Sequence, residues 1–186
     1  MTTAQRRLNN IVAIVDRNRL KAMDASDGPK VLDPLAERWR TFGWAVREGA
    51  PYRDGWVETR FKPVAGREDR AGGVVWRWRD ADNYYVARAN ALEDNVVAYK
   101  VVKGRRTDLT PVDARPGTYG VKVPVATGAW HTLRVDFTGA RFEITYDGRR
   151  LFAVRDETFP DAGLVGIWSK ADSVTEFDRF QQEGAP

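Results

Sequence analysis

Arg141-Phe142-Glu143-Ile144-Thr145-Tyr146-Asp147-Gly148-Arg149-Arg150-Leu151-Phe152-Ala153-Val154 decides the fold. Two alternating runs flank the dipeptide Asp147-Gly148. A two-residue hairpin turn of type I′ needs positive φ at both central positions, and Asp-Gly supplies it. Phe142, Ile144 and Tyr146 fall on one face of the first strand. In the second, Leu151 and Ala153 oppose Phe152 and Val154, so that strand is read as covered on both sides.

The same texture extends outward. Further strands are expected at 56–62, 73–78, 84–90, 95–102, 130–137, 164–169 and 174–180. They are separated by Gly66, Asp80-Ala81-Asp82-Asn83, Lys103-Gly104, Thr138-Gly139 and Asp161-Ala162-Gly163. Leu133, Val135 and Phe137 share one face. Many short strands with regular turns predict an all-β antiparallel sandwich. Gly72-Gly73 marks a bulge or a close backbone approach rather than a phosphate loop, since no GxxxxGK[ST] or GxGxxG is present. There is no internal repeat.

Residues 1–23 read differently. Leu8, Ile11, Val12 and Val15 fit one helical face, which predicts a short amphipathic N-terminal helical arm. Asp24-Ala25-Ser26-Asp27-Gly28-Pro29 is a turn cluster that marks its border. The expected organisation is an arm over 1–23, a sandwich over 24–182 and a tail over 183–186.

Composition narrows the function. The chain has 186 residues, no Cys and a single His, which excludes disulfides, thiolate zinc sites and multi-histidine metal centres. The net charge of +4 lies entirely in residues 1–22, which carry Arg6, Arg7, Arg17, Arg19 and Lys21 against Asp16. A nucleic-acid binder concentrates basic charge on its folded surface, so no nucleic-acid partner is expected. The five-residue apolar run at 11–15 is too short for a secretory or membrane-spanning segment. The expectation is a soluble, cytoplasmic chain as written, or an extracellular or periplasmic one if a signal has been removed ahead of it.

Gly72-Gly-Val-Val-Trp-Arg-Trp-Arg-Asp-Ala-Asp-Asn-Tyr-Tyr-Val-Ala-Arg-Ala-Asn90 resembles the concanavalin A-like jelly roll of the laminin-G-like type. More closely, it is similar to the bacterial 3-keto-disaccharide hydrolase family, long a domain of unknown function. Asn95-Val-Val-Ala-Tyr-Lys100, Gly128-Ala-Trp-His-Thr-Leu-Arg-Val135, Tyr146-Asp-Gly148 and Gly163 to Asp178 follow in matching order. The resemblance covers about 28–180 and implies a concave sheet that binds carbohydrate. It also implies an alternative, a glycoside hydrolase acting on modified (3-keto) sugars. A third reading is a protein-interaction domain whose basic arm makes the contact.

The candidate residues are weighed against structural roles. Arg88 and Asn90 share a strand face, Lys100 lies on the next strand, and Trp168 and Lys170 share a face of a later one. Donors beside an indole suit sugar hydroxyls and C–H faces, though the same pattern fits a solvated charged face. Arg77 and Arg79, alternating with Trp76 and Trp78, are candidates for that surface. An enzyme would need an acid or base from Asp80, Glu93, Asp94, Asp172 or His131. Asp80, Asp82 and Asn83 have the oxygen spacing for calcium, and equally the vocabulary of a turn. Glu176-Phe177-Asp178-Arg179-Phe180-Gln181 approaches the two-carboxylate Glu-x-Asp-x-x-Glu pattern of glycoside hydrolases. Gln181 cannot donate a proton, so the segment is read as structural.

Overall fold

The computed structural model describes residues 4–8, 11–15, 20–21, 42–47, 49–170 and 172–185. These form two sheets and, among the described residues, no helix. The first sheet runs β1 (Ala4–Leu8), β2 (Ile11–Val15), β15 (Val174–Ala185), β5 (Asp54–Ala65), β11 (His131–Thr138), β12 (Arg141–Tyr146) and β13 (Arg149–Arg155). The second runs β10 (Val121–Lys122), β8 (Asn95–Val102), β7 (Asn83–Asn90), β6 (Ala71–Asp80), β14 (Leu164–Lys170), β4 (Phe42–Arg47) and β3 (Leu20–Lys21). A short β9 (Arg105–Asp108) also pairs with β8. Among the described residues, every strand pairing is antiparallel except β2 on β15.

The β12–β13 hairpin forms as its sequence predicts. Tyr146 pairs with Arg149, and Asp147 and Gly148 take φ of 46° and 73°. A bulge follows, with Ile144 opposite Phe152 and Thr145 opposite Arg150. Phe142, Ile144 and Tyr146 point between the sheets with Leu133, Val135, Phe137, Val57, Phe61 and Phe177. The second sheet contributes Val74, Trp76, Tyr85, Ala87, Ala98 and Ile167 to this core. At the β6 entry, a Cβ added to Gly72 would lie 2.7 Å from the Phe61 ring and 2.9 Å from Thr175. Gly72 therefore marks a close approach of the two sheets and Gly73 a close approach to the β7 backbone, where a Cβ would lie 2.2 Å from the Ala87 oxygen.

The second sheet is apolar on its far face as well. Trp44, Val75, Trp78, Tyr84, Val86, Val97, Tyr99, Val101 and Trp168 form a second buried cluster there. Both faces of β6 are thus buried, and a bulge explains how. Arg77 adopts φ 45° where the β6–β7 register breaks, so Trp76 enters the inner core and Trp78 the far cluster. One extra residue shifts the alternation by one, which simple period-2 reading cannot anticipate.

The N-terminal arm corrects its expectation. Residues 4–8 and 11–15 are strands, not helix, and Leu8 pairs with Ile11. Ile11, Val12, Ile14 and Val15 are β-branched and stiff at χ1, which favours a strand once a sheet edge is on offer. The edge is β15, with Ile11 opposite Thr175. Residues 16–19, 22–23 and the turn cluster at 24–29 lie outside the described residues. At the other end, residues 183–185, read as tail, continue β15 against Asp54 to Trp56.

Candidate functional site

The far face of β7 carries Tyr84, Val86, Arg88 and Asn90, because alternate residues share a face. On β8 the same face carries Asn95, Val97, Tyr99 and Val101, and Asn90 sits directly across from Asn95. The apolar part of this face gives way to a polar cluster at the end where β7 turns into β8.

Arg88 is the centre of the cluster and has no exposed surface. Its Nη1 donates to Asn95 Oδ1 at 2.6 Å. Its Nη2 lies 2.9 Å from Glu93 Oε2, the Tyr99 hydroxyl and the Tyr119 hydroxyl. The two tyrosine hydroxyls also bond to each other. Asn95 Nδ2 donates to Glu93 Oε2 at 2.9 Å, and Asn90 Nδ2 reaches Glu93 Oε1 at 3.1 Å and Asp69 Oδ1 at 2.9 Å. Lys170 Nζ closes the group on Asp69 Oδ2 at 2.7 Å. On the rim, Lys122 donates to the Glu93 carbonyl oxygen at 2.7 Å, and the Arg106 guanidinium lies 4.6 Å over the Tyr99 ring.

The electrostatics favour a charged Arg88, a charged Glu93 and a neutral Tyr99. Burial works against the Arg88 charge, but the Tyr99 and Tyr119 oxygens and the Glu93 carboxylate outweigh it and raise its pKa. Burial would likewise raise Glu93. The Arg88 charge and hydrogen bonds from Arg88 and Asn95 override that and hold its carboxyl below the ordinary range. Tyr99 is pushed up, by burial above all, so it stays a neutral phenol.

Of the residues singled out in the sequence, the structure brings together Arg88, Asn90, Lys170 and Glu93. Trp168 shares their face in one cross-strand row, Trp168–Gly73–Arg88. It is fully buried, so it offers no ring face to a ligand. Lys100 does not belong to the group. It pairs with Tyr85, on the inner side of β8, and donates to Asp156 Oδ2 at 2.7 Å and Thr158 Oγ1 at 3.0 Å. Tyr85 donates to the other Asp156 oxygen at 2.7 Å. Burial would raise Asp156, but donors from Lys100, Thr158 and Tyr85 hold it low.

The other candidates have structural employment. Arg77 is 1% exposed and donates to the carbonyls of Arg53, Phe159 and Gly139, tying three loops together rather than facing solvent. Arg79 pairs with Asp161 at 2.7 Å. His131 is 7% exposed, its Nδ1 2.8 Å from both Asp147 Oδ2 and the Tyr146 hydroxyl, its Nε2 3.0 Å from the Ala126 carbonyl. Asp94 accepts from the Val125 amide at 2.9 Å. Asp172 accepts from the amides of Arg67, Glu68 and Asp69, which outweigh its burial and keep its carboxyl low. Asp80 accepts from the Asp82 amide at 2.8 Å and Asn83 Nδ2 at 2.9 Å, an Asx turn. Among the described residues, no three His, Cys, Asp or Glu side chains gather as metal ligands. Glu176 and Asp178 pair with Lys62 and Arg60 across β15–β5, the structural role expected of them.

Sequence reasoning missed Asp69, Asn95, Tyr99 and Tyr119. Asn95 had a signal, since it faces Asn90 across a four-residue turn. Tyr119 had none. It lies in the loop between β9 and β10, and reaches Arg88 across 31 positions of chain.

No family model matches the chain. A curated protein, one of the subunits of the apulose-4-phosphate transketolase of Phocaeicola vulgatus, is 42% identical over 48 residues. That stretch is 26% of this chain and 17% of the relative, so the chain spans under a fifth of that protein's length. Among solved structures, the carbohydrate-binding module CBM66 from Bacillus subtilis superposes with a TM-score of 0.66 at 22% identity, over 77% of this chain and 82% of that one. The fold is a jelly roll. A homodimeric agglutinin from chicken liver shares it at TM-score 0.52 and 9% identity, over 77% of this chain and all of that one. A GH43 protein from Bacillus licheniformis does so at 0.53 and 12%, over 77% of this chain and 32% of that one. At these identities the likeness is one of fold. No helix among the described residues is long and apolar enough to cross a membrane.

Proposed function

We propose that this domain is a carbohydrate-binding module whose site is the Arg88 cluster. One observation carries the reading: Arg88, itself fully buried, holds the partly exposed Glu93 carboxylate and the exposed Tyr119 side by side at the end of the second sheet. Buried charges are costly to keep, and a pre-positioned donor–acceptor array is what directed hydroxyl recognition needs. At the surface beside it, the Glu93 carboxylate accepts and the Lys122 ammonium donates, matching hydroxyls that do both. The solved neighbour described as a carbohydrate-binding module supports the same reading.

Glu93 weighs against the hydrolase alternative at this site. A general acid needs a raised pKa, whereas Arg88 and Asn95 hold Glu93 low. It is placed to accept hydroxyl hydrogens rather than to donate a proton. The protein-interaction alternative rests on the basic arm, whose side chains lie outside the described residues.

The test is a glycan-array screen of the purified protein, in calcium and in chelator, beside Arg88→Ala and Glu93→Gln. Specific binding, equal in both buffers and lost in both variants with their circular dichroism intact, is expected. Binding that survives Glu93→Gln unchanged, or that disappears on chelation, contradicts the assignment.

A further inference from the structure

We infer that Tyr119 is the stacking platform of this site, and that its ligand is a neutral sugar with adjacent hydroxyls and an exposed C–H face. The inference rests on the carbohydrate reading and specifies it.

Three observations carry it. First, the indole that sequence reading assigned to stacking, Trp168, is fully buried. Tyr119 instead is 45% exposed, one of the few large hydrophobic side chains among the described residues that is. Second, its position is fixed. The phenol hydroxyl is held by Tyr99 and by Arg88 Nη2 at 2.9 Å, and its ring meets the Tyr99 ring at 63°. The loop behind it is pinned as well. Thr118 closes a turn onto the Arg115 carbonyl, and Gly120 sits so near β8 that a Cβ there would lie 2.3 Å from the Val96 oxygen. A ring with its rotamer set in advance loses little entropy when a ligand lands on it. Third, the Tyr119 oxygen and Glu93 Oε2 both lie 2.9 Å from the same Arg88 nitrogen. The exposed ring and the partly exposed carboxylate are therefore neighbours at the surface. A ligand lying on the ring can hand its hydroxyl hydrogens to Glu93.

The charge pattern sets the ligand class. Buried Arg88 is matched by Glu93 and Lys170 by Asp69, so the cluster holds no unmatched buried charge. Lys122 is turned onto the Glu93 carbonyl oxygen. To reach Arg88 or Lys170, a uronate or phosphate would have to displace a carboxylate from its cation, whereas a neutral diol adds to the hydrogen-bonding capacity that remains.

The test compares wild type, Tyr119→Phe and Tyr119→Ala by calorimetry against the best neutral glycan from the array, its uronic-acid counterpart and a sugar phosphate. Saturation-transfer NMR with the aromatic protons irradiated reads which ligand C–H groups touch a ring, and the loss of that signal in Tyr119→Ala assigns the ring. Tyr119→Phe keeps the ring and is expected to stay within about threefold of wild type. Tyr119→Ala is expected to lose tenfold or more with little change in Tm, and the charged ligands to bind at least tenfold more weakly. A wild type that binds while Tyr119→Ala matches it overturns the platform and leaves the carbohydrate reading standing. Tighter binding of the uronate or phosphate overturns the ligand class. A wild type that binds no glycan removes the carbohydrate reading, and this inference with it.

Discussion

Arg88 shows how a side chain in the middle of an apolar strand announces itself. It stands between Ala87 and Ala89 on β7, and such a residue must be paired or face water. That much was legible. Its partners were not, because Asn95, Tyr99 and Tyr119 are 7, 11 and 31 positions away and meet it only through strand register and a loop. Register also explains Lys100. Its place opposite Tyr85 puts it on the inner side, one residue out of phase with Arg88. Removing Arg88 would leave Glu93 and Asn95 without their shared donor. Arg88→Ala is expected to cost about 1–3 kcal/mol, the penalty for leaving a buried partner such as Asn95 unsatisfied while the partly exposed Glu93 turns to water. Urea unfolding checks it, and a loss below about 1 kcal/mol would show that the cluster is not tied to the fold. Glu93→Gln keeps the shape and separates binding from stability.

At the scale of elements, two glycines test two different constraints. Gly148 has positive φ and nothing within 4 Å of an added Cβ. Gly148→Ala is therefore expected to cost only the left-handed backbone penalty, about 1 kcal/mol. Gly72 has ordinary φ, but its Cβ would press on Phe61 and Thr175 between the sheets. Gly72→Ala is expected to cost more, about 1–3 kcal/mol from overpacking. Thermal melts of the two variants give the order, and a larger loss for Gly148→Ala would contradict it. The hairpin was legible because Asp-Gly specifies a turn locally. The arm was misread because apolar residues at 8, 11, 12 and 15 satisfy a helical period, yet four of the five residues in 11–15 are β-branched. What decides between the two is a tertiary fact, the edge of β15.

For the whole molecule, the two sheets share one inner core, so fluorescence and circular dichroism should report one coincident unfolding transition. Two separated transitions would contradict a shared core. Stability should also fall on the acid side. Glu93 and Asp156 are held below their unfolded pKa values, about 4.3 and 3.9. Their contribution is complete above those values and is lost as pH drops through the depressed ones. Asp156→Asn should flatten the decline below about pH 4. An unchanged acid limb would show that the Lys100–Asp156 clamp adds nothing to folding. The sandwich itself was legible because alternation and turns repeat along the chain. The site was legible only in part, because it is assembled from β7, β8, β14 and three loops that only the fold brings together.

The most direct measurement is a two-dimensional NMR titration with the glycan that the array selects. Shifts are expected to concentrate on the Arg88 Nε–Hε group, the side-chain amides of Asn90 and Asn95, and the backbone of 92–94 and 117–122. Shifts centred instead on the Lys100–Asp156 clamp or the outer face of the first sheet, with the Arg88 cluster unmoved, would contradict a carbohydrate site at Arg88.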